Sequence, residues 1–178
     1  MNENFEFIIL SPNYNIGGLR TTLNSIKCYY PNSNVICVAN KDVKSDQLQE
    51  MKKHCNCIRG GKTITSLINK GYSKIKSNWG VLVLEGARVN RCLNRYKNWM
   101  TSHDEIFFPL MVEFKGDKKI LHDTLYNCSL NGICIHKEMF DKVGNFSENP
   151  LDISRQFWTL QAYDKGAIFK SVLGIRIC

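Results

Sequence analysis

The start of the chain most constrains its fold, because the apolar run Phe7-Ile8-Ile9-Leu10 ends in the polar segment Ser11-Pro12-Asn13-Tyr14-Asn15. Apolar residues then recur at helical spacing, at Leu19, Leu23, Ile26 and Tyr30. The two patterns together predict a buried strand, a loop pinned by proline, and a helix. Ligands of open α/β sheets bind at the carboxyl ends of the strands. We therefore expect residues 11–15 to lie at a ligand site of the nucleotide type.

The rest of the first half repeats this alternation. Apolar strand signals recur at 35–39, 57–58 and 80–84, and helical patterns separate them. The order β-α-β-α-β-α-β predicts a mostly parallel sheet with right-handed crossovers. Gly71 lies inside the third helical pattern, where it costs about 1 kcal/mol relative to alanine. It predicts close packing of that helix against a neighbouring strand or loop.

The second half is predicted to be mixed, with strands over 105–114, 129–136 and 167–178 and helices over 89–100, 137–143 and 152–165. The segment Lys115-Gly116-Asp117-Lys118 is a turn signal, compatible with a hairpin. Gly144 and Gly166 are expected to end the last two helices.

Composition indicates a single globular domain over residues 1–178, with 43% hydrophobic and 22% charged residues. No apolar run approaches the ~20 residues of a membrane span. The N-terminus lacks the basic region of a signal peptide, so we expect a cytoplasmic protein. The net charge of +8 favours a solvated basic surface; attraction to anions such as nucleotide phosphates is the alternative. Nucleic-acid binding is not expected, because no dense Lys/Arg block with interleaved aromatics occurs.

The eight cysteines are expected to be reduced and mostly buried, since most of them lie in apolar contexts. Cys55-x-Cys57 beside His54 has the residue types of a metal site. No second pair follows at zinc-finger spacing, so a structural metal site is not predicted.

Six short stretches, in the same order along the chain, resemble a known family. They are Pro12-Asn13-Tyr14-Asn15 with Leu23-Asn24-Ser25-Ile26, Val35-Ile36-Cys37-Val38, Gly60-Gly61 with Asn69-Lys70-Gly71, Val81-Leu82-Val83-Leu84-Glu85, Asn131-Gly132 with 143–148, and Asp152 with Asp164-Lys165-Gly166. With them the chain resembles the GT-A fold of nucleotide-sugar glycosyltransferases, closest to the inverting family 2. The resemblance implies an α/β, three-layer, nucleotide-diphospho-sugar transferase-like fold with a mostly parallel central sheet.

The resemblance implies that Pro12 to Asn15 and Asn40 to Asp42 bind the nucleotide. Tyr14 would pack against the base, Asn15 would hydrogen-bond base or ribose, and Asp42 would accept from a ribose hydroxyl. The alternative is that Pro12 and Asn13 form a turn and that Asn15 caps the helix. The two interpretations are compatible with each other.

The family has an Asp-x-Asp motif at the end of the fourth strand, which holds Mg²⁺ or Mn²⁺ against the donor diphosphate. The matching triplet here is Glu85-Gly86-Ala87, so Glu85 remains as a ligand and the second ligand is missing at Ala87. Such a site would bind a divalent cation weakly. Arg88 is expected either to pair with the diphosphate directly or to be a solvated residue of the next helix.

The resemblance implies Asp152 as the catalytic base that takes a proton from the acceptor hydroxyl. Leu151 stands where the family usually has another acid, and the alternative role of Asp152 is to cap the helix. Glu148 is the second candidate for the base, and Arg155 or Gln156 would lie near the diphosphate.

These observations predict a glycosyltransferase of the hexosyltransferase type, with a nucleotide-sugar donor and a glycan or protein acceptor. A non-catalytic GT-A domain, acting as a binding or structural module, is the alternative. Gly17-Gly18-Leu19-Arg20 faintly resembles the loop of nucleotidyltransferases, which gives a third interpretation.

Overall fold

The computed structural model describes residues 5–109, 111–115, 118–122 and 130–172. The strands are β1 (Phe5–Ser11), β2 (Asn34–Ala39), β3 (Asn56–Arg59), β4 (Trp79–Leu84), β5 (Glu105–Pro109), β6 (Met111–Lys115), β7 (Lys118–His122), β8 (Cys134–His136) and β9 (Ile168–Val172). The helices are α1 (Ile16–Tyr29), α2 (Ser45–Lys52), α3 (Ile64–Tyr72), α4 (Asn94–Trp99), α5 (Lys137–Val143) and α6 (Leu151–Asp164), with a short 3-10 helix at Arg91–Leu93.

Seven strands form the central sheet, in the order β3-β2-β1-β4-β8-β5-β9. β1 pairs in parallel with β2 on one side and with β4 on the other, and β2 pairs in parallel with β3. The parallel first half is therefore confirmed. β8 is antiparallel to both of its neighbours, and β9 pairs in parallel with β5.

Both faces of the sheet are buried, which makes three layers. In β1, Phe7 and Ile9 belong to the apolar cluster that contains residues of α1 and α2, whereas Ile8 and Leu10 belong to the cluster that contains residues of α3, α5 and α6. Successive side chains of a strand point to opposite faces. A continuous apolar run is what a strand covered on both faces requires.

Gly71 packs directly against β1, as its position in the helical pattern predicts. A Cβ atom at Gly71 would lie 2.3 Å from Cγ2 of Ile8. α3 can approach the sheet this closely only because residue 71 has no side chain.

The strands of the second half are shorter and more numerous than predicted. The strand expected over 105–114 is two strands, β5 and β6, and β6 pairs with β7 in a separate two-stranded sheet with Lys115 opposite Lys118. The expected hairpin is thus present. Strand β8 is shorter than expected because Asn131 and Gly132 form a turn. Gly116, Asp117, Ser129 and residues 173–178, on which parts of these predictions fall, lie outside the described residues.

The helix expected to include Val89 begins only at Asn94. The backbone N–H of Val89 donates to the Ser25 hydroxyl of α1 at 2.9 Å. Because this contact fixes the segment as an irregular connection along α1, helical geometry starts after it. Gly144 and Gly166 follow α5 and α6 as predicted, with φ of 96° and 84°.

Among the described cysteines, Cys37, Cys57 and Cys134 are buried as expected, Cys55 is half-buried and Cys28 is exposed. Within the described ranges, no helix combines the length and the apolar character that crossing a membrane requires.

Candidate functional site

The carboxyl ends of β1 and β2 meet at one edge of the sheet. The backbone N–H of Asn40 donates to the Ser11 carbonyl at 2.9 Å, directly after β2. A cleft of about 220 Å³ opens there, lined by Pro12, Asn13, Tyr14, Asn40, Asp42, Val43 and Gln47. The structure therefore brings together four of the predicted donor-binding residues.

Val43 and Gln47 were missed by the sequence interpretation. Both follow β2 within eight residues of its end, so the rule that ligands bind at strand ends was a sufficient signal to include them. The cleft is smaller than the ~300–1,000 Å³ of pockets for drug-sized ligands. It has room for part of a nucleotide sugar, not for the whole molecule.

Tyr14 forms one wall of the cleft and is held by α2. Its hydroxyl donates to the Glu50 carboxylate, and this hydrogen bond raises the pKa of Tyr14 above its ordinary value. The half-buried ring also packs against the apolar cluster of α1 and α2. Its position is thus fixed without a ligand.

Asn40 and Asp42 differ in whether their side-chain polar atoms are available to hydrogen-bond a ligand. The Asn40 side chain accepts from the Asp42 N–H at 3.0 Å and donates to the Lys62 carbonyl at 3.0 Å, so it holds the loop together. The Asp42 carboxylate is 67% exposed and lies 3.8 Å from the Lys62 ammonium. An exposed pair of this kind is weak, so Asp42 is the better acceptor for a ligand hydroxyl.

The loops after β2 and β3 are tied to each other. Arg59 donates to the Lys41 carbonyl at 2.7 Å, and the Lys41 N–H donates to the Gly61 carbonyl at 3.1 Å. Together with the Asn40 bond to Lys62, these contacts fix the loop after β2, which contains Asn40 and Asp42 of the cleft.

Asn15 does not line the cleft. Its side-chain oxygen accepts from the Gly18 N–H at 2.9 Å and caps α1, as the alternative interpretation stated. A Cβ at Gly18 would lie 2.8 Å from Nδ2 of Asn15 and 3.3 Å from Cγ of Glu85. Gly18 thus lets both side chains approach the start of α1.

Glu85 does not line the cleft and lies between the ends of β1 and β4. One of its oxygens accepts from the Ser11 hydroxyl at 2.8 Å, and the other is buried without a hydrogen-bond partner among the described residues. Burial raises the pKa of Glu85 to about 7, against the opposing effect of the Ser11 hydrogen bond.

Ala87 belongs to the buried apolar cluster of α1 and α2. Its carbonyl accepts from the Thr22 hydroxyl at 2.8 Å, and the same hydroxyl accepts from the Gly86 N–H at 3.0 Å. Position 87 therefore faces the core, and the described residues near Glu85 do not fit a strongly bound Mg²⁺ or Mn²⁺.

Arg88 is exposed, and it does not line the cleft. Its neighbours Ala87 and Val89 are bonded to Thr22 and Ser25 of α1. At 1.5 Å per residue, Thr22 lies about 9 Å along the helix from its first residue. The structure therefore places Arg88 beside the middle of α1, and it does not bring Arg88 together with the nucleotide-side residues.

Asp152 lies in the first turn of α6, where its negative charge interacts favourably with the helix dipole. It is not the capping residue, because Pro150 occupies that position. The Asp152 carboxylate is 84% exposed and lies 3.3 Å from the Arg155 guanidinium, whose side chain is 11% exposed. Gln156 is exposed on the same helix.

Glu148 lines a second cleft, of about 400 Å³, together with Arg59, Gly60, Gly61, Ser66, Asn69, Lys70, Ser73 and Asn145. Asn69 fixes this cleft, because its side chain donates to the Phe146 carbonyl at 2.8 Å and accepts from the Phe146 N–H at 2.9 Å. Gly60 and Gly61 follow β3, so the second cleft lies on the same edge of the sheet as the first. Asp152 does not line it.

Solved structures identify the architecture. S. aureus TarS matches 98% of the chain with a TM-score of 0.67 and 14% identity, and the chain spans 36% of that protein. TarS residues 1–349 in complex with UDP match with a TM-score of 0.69 at 12% identity, and the complex with UDP-GlcNAc with 0.68 at 13%. The chain has a GT-A-like nucleotide-sugar transferase fold.

The GT-A-like fold is shared more widely. The bifunctional IspDF from Campylobacter jejuni matches 97% of the chain with a TM-score of 0.63 and 12% identity, and the chain spans 50% of it. The chain spans 59% of the TarS 1–349 chain in the UDP complex. No protein-family model and no curated protein matches the sequence. At these identities the likeness concerns the fold alone.

Proposed function

We propose that the protein is an inverting, family 2-like glycosyltransferase whose first cleft binds the nucleoside part of a nucleotide-sugar donor. The observation that supports it is one cleft that gathers Pro12, Tyr14 and Asp42 at the carboxyl ends of β1 and β2 of a GT-A-like sheet. The complexes of TarS with UDP and UDP-GlcNAc make a uridine nucleotide the first candidate ligand.

The chemistry of the cleft suits a nucleoside. The Tyr14 ring offers a rigid apolar wall for a base, and the Asp42 carboxylate offers an acceptor for ribose hydroxyls. The volume of about 220 Å³ leaves the diphosphate and sugar outside, towards the loops that follow β3 and β4. We propose that the Lys62 ammonium, beside Asp42, binds the diphosphate.

Catalysis would follow the inverting course. The acceptor oxygen attacks the anomeric carbon, the bond to the diphosphate oxygen breaks, and the hydroxyl proton moves to Asp152. Arg155, whose guanidinium lies 3.3 Å from the Asp152 carboxylate, would orient that carboxylate towards the acceptor hydroxyl. Glu148 remains the second candidate for the base, supported by its place in the second cleft.

Calorimetry with UDP, GDP and CDP, each with and without Mn²⁺, tests donor binding. We expect binding of one of them, with little gain from Mn²⁺, and Asp42→Asn should weaken it about tenfold or more because a charged hydrogen bond is lost. Asp46→Asn is the matched control, since it removes the same charge from the exposed side of α2.

Removing a negative charge should by itself favour a diphosphate. Weaker binding of Asp42→Asn with unchanged or stronger binding of Asp46→Asn therefore identifies the ribose contact. If no nucleoside diphosphate binds the wild-type protein, the proposed donor site is wrong.

Donor hydrolysis or transfer, followed as release of nucleoside diphosphate, tests the base. Asp152→Asn should abolish turnover and leave donor affinity unchanged, and Glu148→Gln should retain turnover. If Glu148→Gln abolishes turnover and Asp152→Asn retains it, Glu148 is the base.

A non-catalytic nucleotide-binding domain is the second candidate function. The buried Ala87 favours it, because this position supplies no second carboxylate for a metal. Nucleotide binding by the wild-type protein without turnover of any UDP, GDP or CDP sugar would support this function over the first.

A further inference from the structure

Three thiols, two from paired strands and one from the turn before β3, meet on the face of the sheet covered by α1 and α2. Cys37 of β2 lies opposite Cys57 of β3 in the parallel register, and Cys55 precedes Cys57 by two residues. The three Sγ atoms all lie within 4.8 Å of one another, and those of Cys55 and Cys57 are 3.5 Å apart.

The spacing of these sulfurs matches a metal site. Zn²⁺ bonds thiolate sulfur at about 2.3 Å, and a tetrahedral arrangement then separates the sulfurs by about 3.8 Å. The observed separations of 3.5 Å to at most 4.8 Å bracket that value. A metal ion therefore needs only small side-chain adjustments to bind.

The cluster is largely enclosed by the protein. Cys37 and Cys57 are buried and Cys55 is half-buried, so the three sulfurs are largely protected from solvent while Cys55 keeps a path to it.

We propose that Cys37, Cys55 and Cys57 bind a thiophilic divalent cation, Zn²⁺ in the first place. Binding displaces the thiol protons to solvent and leaves a fourth position for water. The ion would fasten β3, an edge strand of the sheet, and the turn before it to β2. Sequence spacing alone gives two of these ligands; the third, Cys37, comes from the pairing of β2 with β3.

The test is a titration of the reduced, metal-stripped protein with Zn²⁺ in competition with a chromophoric chelator. We expect one equivalent to bind and the melting temperature to rise. Cys55→Ser should weaken binding at least about 100-fold, more than the loss of an outer partner costs. Cys28→Ser, which removes an exposed thiol outside the cluster, should bind like the wild type.

A second readout does not depend on a variant. Cd²⁺ added to the wild-type protein should give an ultraviolet thiolate-to-metal band with the intensity of three thiolates. The proposal is overturned if the fully reduced wild type binds no stoichiometric Zn²⁺ or Cd²⁺, or if Cys55→Ser binds Zn²⁺ as tightly as the wild type. It is also overturned if two of the three thiols form a disulfide and the cluster binds no metal ion.

Discussion

The Ser11 hydroxyl donates a hydrogen bond to the Glu85 carboxylate across 2.8 Å, and so joins the ends of β1 and β4. The folded-state pKa of Glu85 is about 7, above its ordinary value of 4.5, because the group is buried. The folded protein therefore binds this proton more tightly than the unfolded chain does. The stability that the neutral carboxyl contributes is fully present below about pH 4.5 and is lost as the pH rises through 7.

Glu85→Gln should remove this pH dependence. At pH 8 we expect the variant to be more stable than the wild type by on the order of 1–2 kcal/mol, after allowance for the partial exposure of Glu85. At pH 4 the difference should be close to zero. Urea unfolding at the two pH values measures it, and an equal gain at both would contradict the assigned shift.

Gly71→Ala should destabilise the protein, although alanine is the better helix former by about 1 kcal/mol. The new methyl would meet Cγ2 of Ile8 at 2.3 Å, and overpacking of this kind costs about 1–3 kcal/mol. In an Ile8→Ala background the same substitution should cost little, since the opposing atom is gone. A double-mutant cycle of unfolding free energies checks this coupling.

Asn69→Ala should loosen the loop that contains Glu148. Asn69 bonds both the N–H and the carbonyl of Phe146, and removing it leaves two backbone groups without these partners, at a cost of about 2 kcal/mol. The Phe146 amide should exchange with solvent faster by at least tenfold. Asn145→Ala, on an exposed residue of the same loop, should leave that exchange rate nearly unchanged.

Lys170→Met should cost about 2–4 kcal/mol at neutral pH, because it leaves the Glu105 carboxylate buried without its cation. Burial alone would raise the pKa of Glu105, but the hydrogen bonds from Lys170 and Thr101 outweigh it and lower the pKa. In the wild type this pair stabilises the fold above the ordinary carboxyl pKa, and the effect is lost on acidification.

The variant should behave in the opposite way, with its deficit shrinking as the pH falls and Glu105 becomes neutral. Lys137→Met is the matched control, because its pair with Asp141 lies on the surface; we expect a change below about 1 kcal/mol. Thermal unfolding from pH 4 to 8 distinguishes the two variants.

The sequence predicted the parallel half of the sheet well, because that information is local. The run Phe7-Ile8-Ile9-Leu10 allows little except a strand covered on both faces, and Gly71 in a helical pattern indicated close packing. Pro12, Tyr14 and Asp42, which the family resemblance singled out, line one cleft because the carboxyl ends of parallel strands share an edge.

Long-range contacts could not be predicted in this way. Nothing near Val89 indicates that Ser25 holds its backbone and delays the next helix. Cys37 lies 18 and 20 residues from Cys55 and Cys57, so only the register of β2 with β3 brings the three thiols together. The core-facing orientation of Ala87 likewise depends on Thr22, a residue of another element.

The core-facing orientation of Ala87 limits how such a chain could evolve a metal-dependent activity. Ala87→Asp would supply the missing second carboxylate beside Glu85, yet it would place a charge in the apolar cluster, at a cost of several kcal/mol. The Thr22 hydroxyl bonds would first have to break, so that the backbone of residues 86 and 87 could turn outward. A second carboxylate is thus one substitution away in sequence but separated by an unfavourable intermediate, and selection for metal use would have to act on Thr22 before it could act on Ala87.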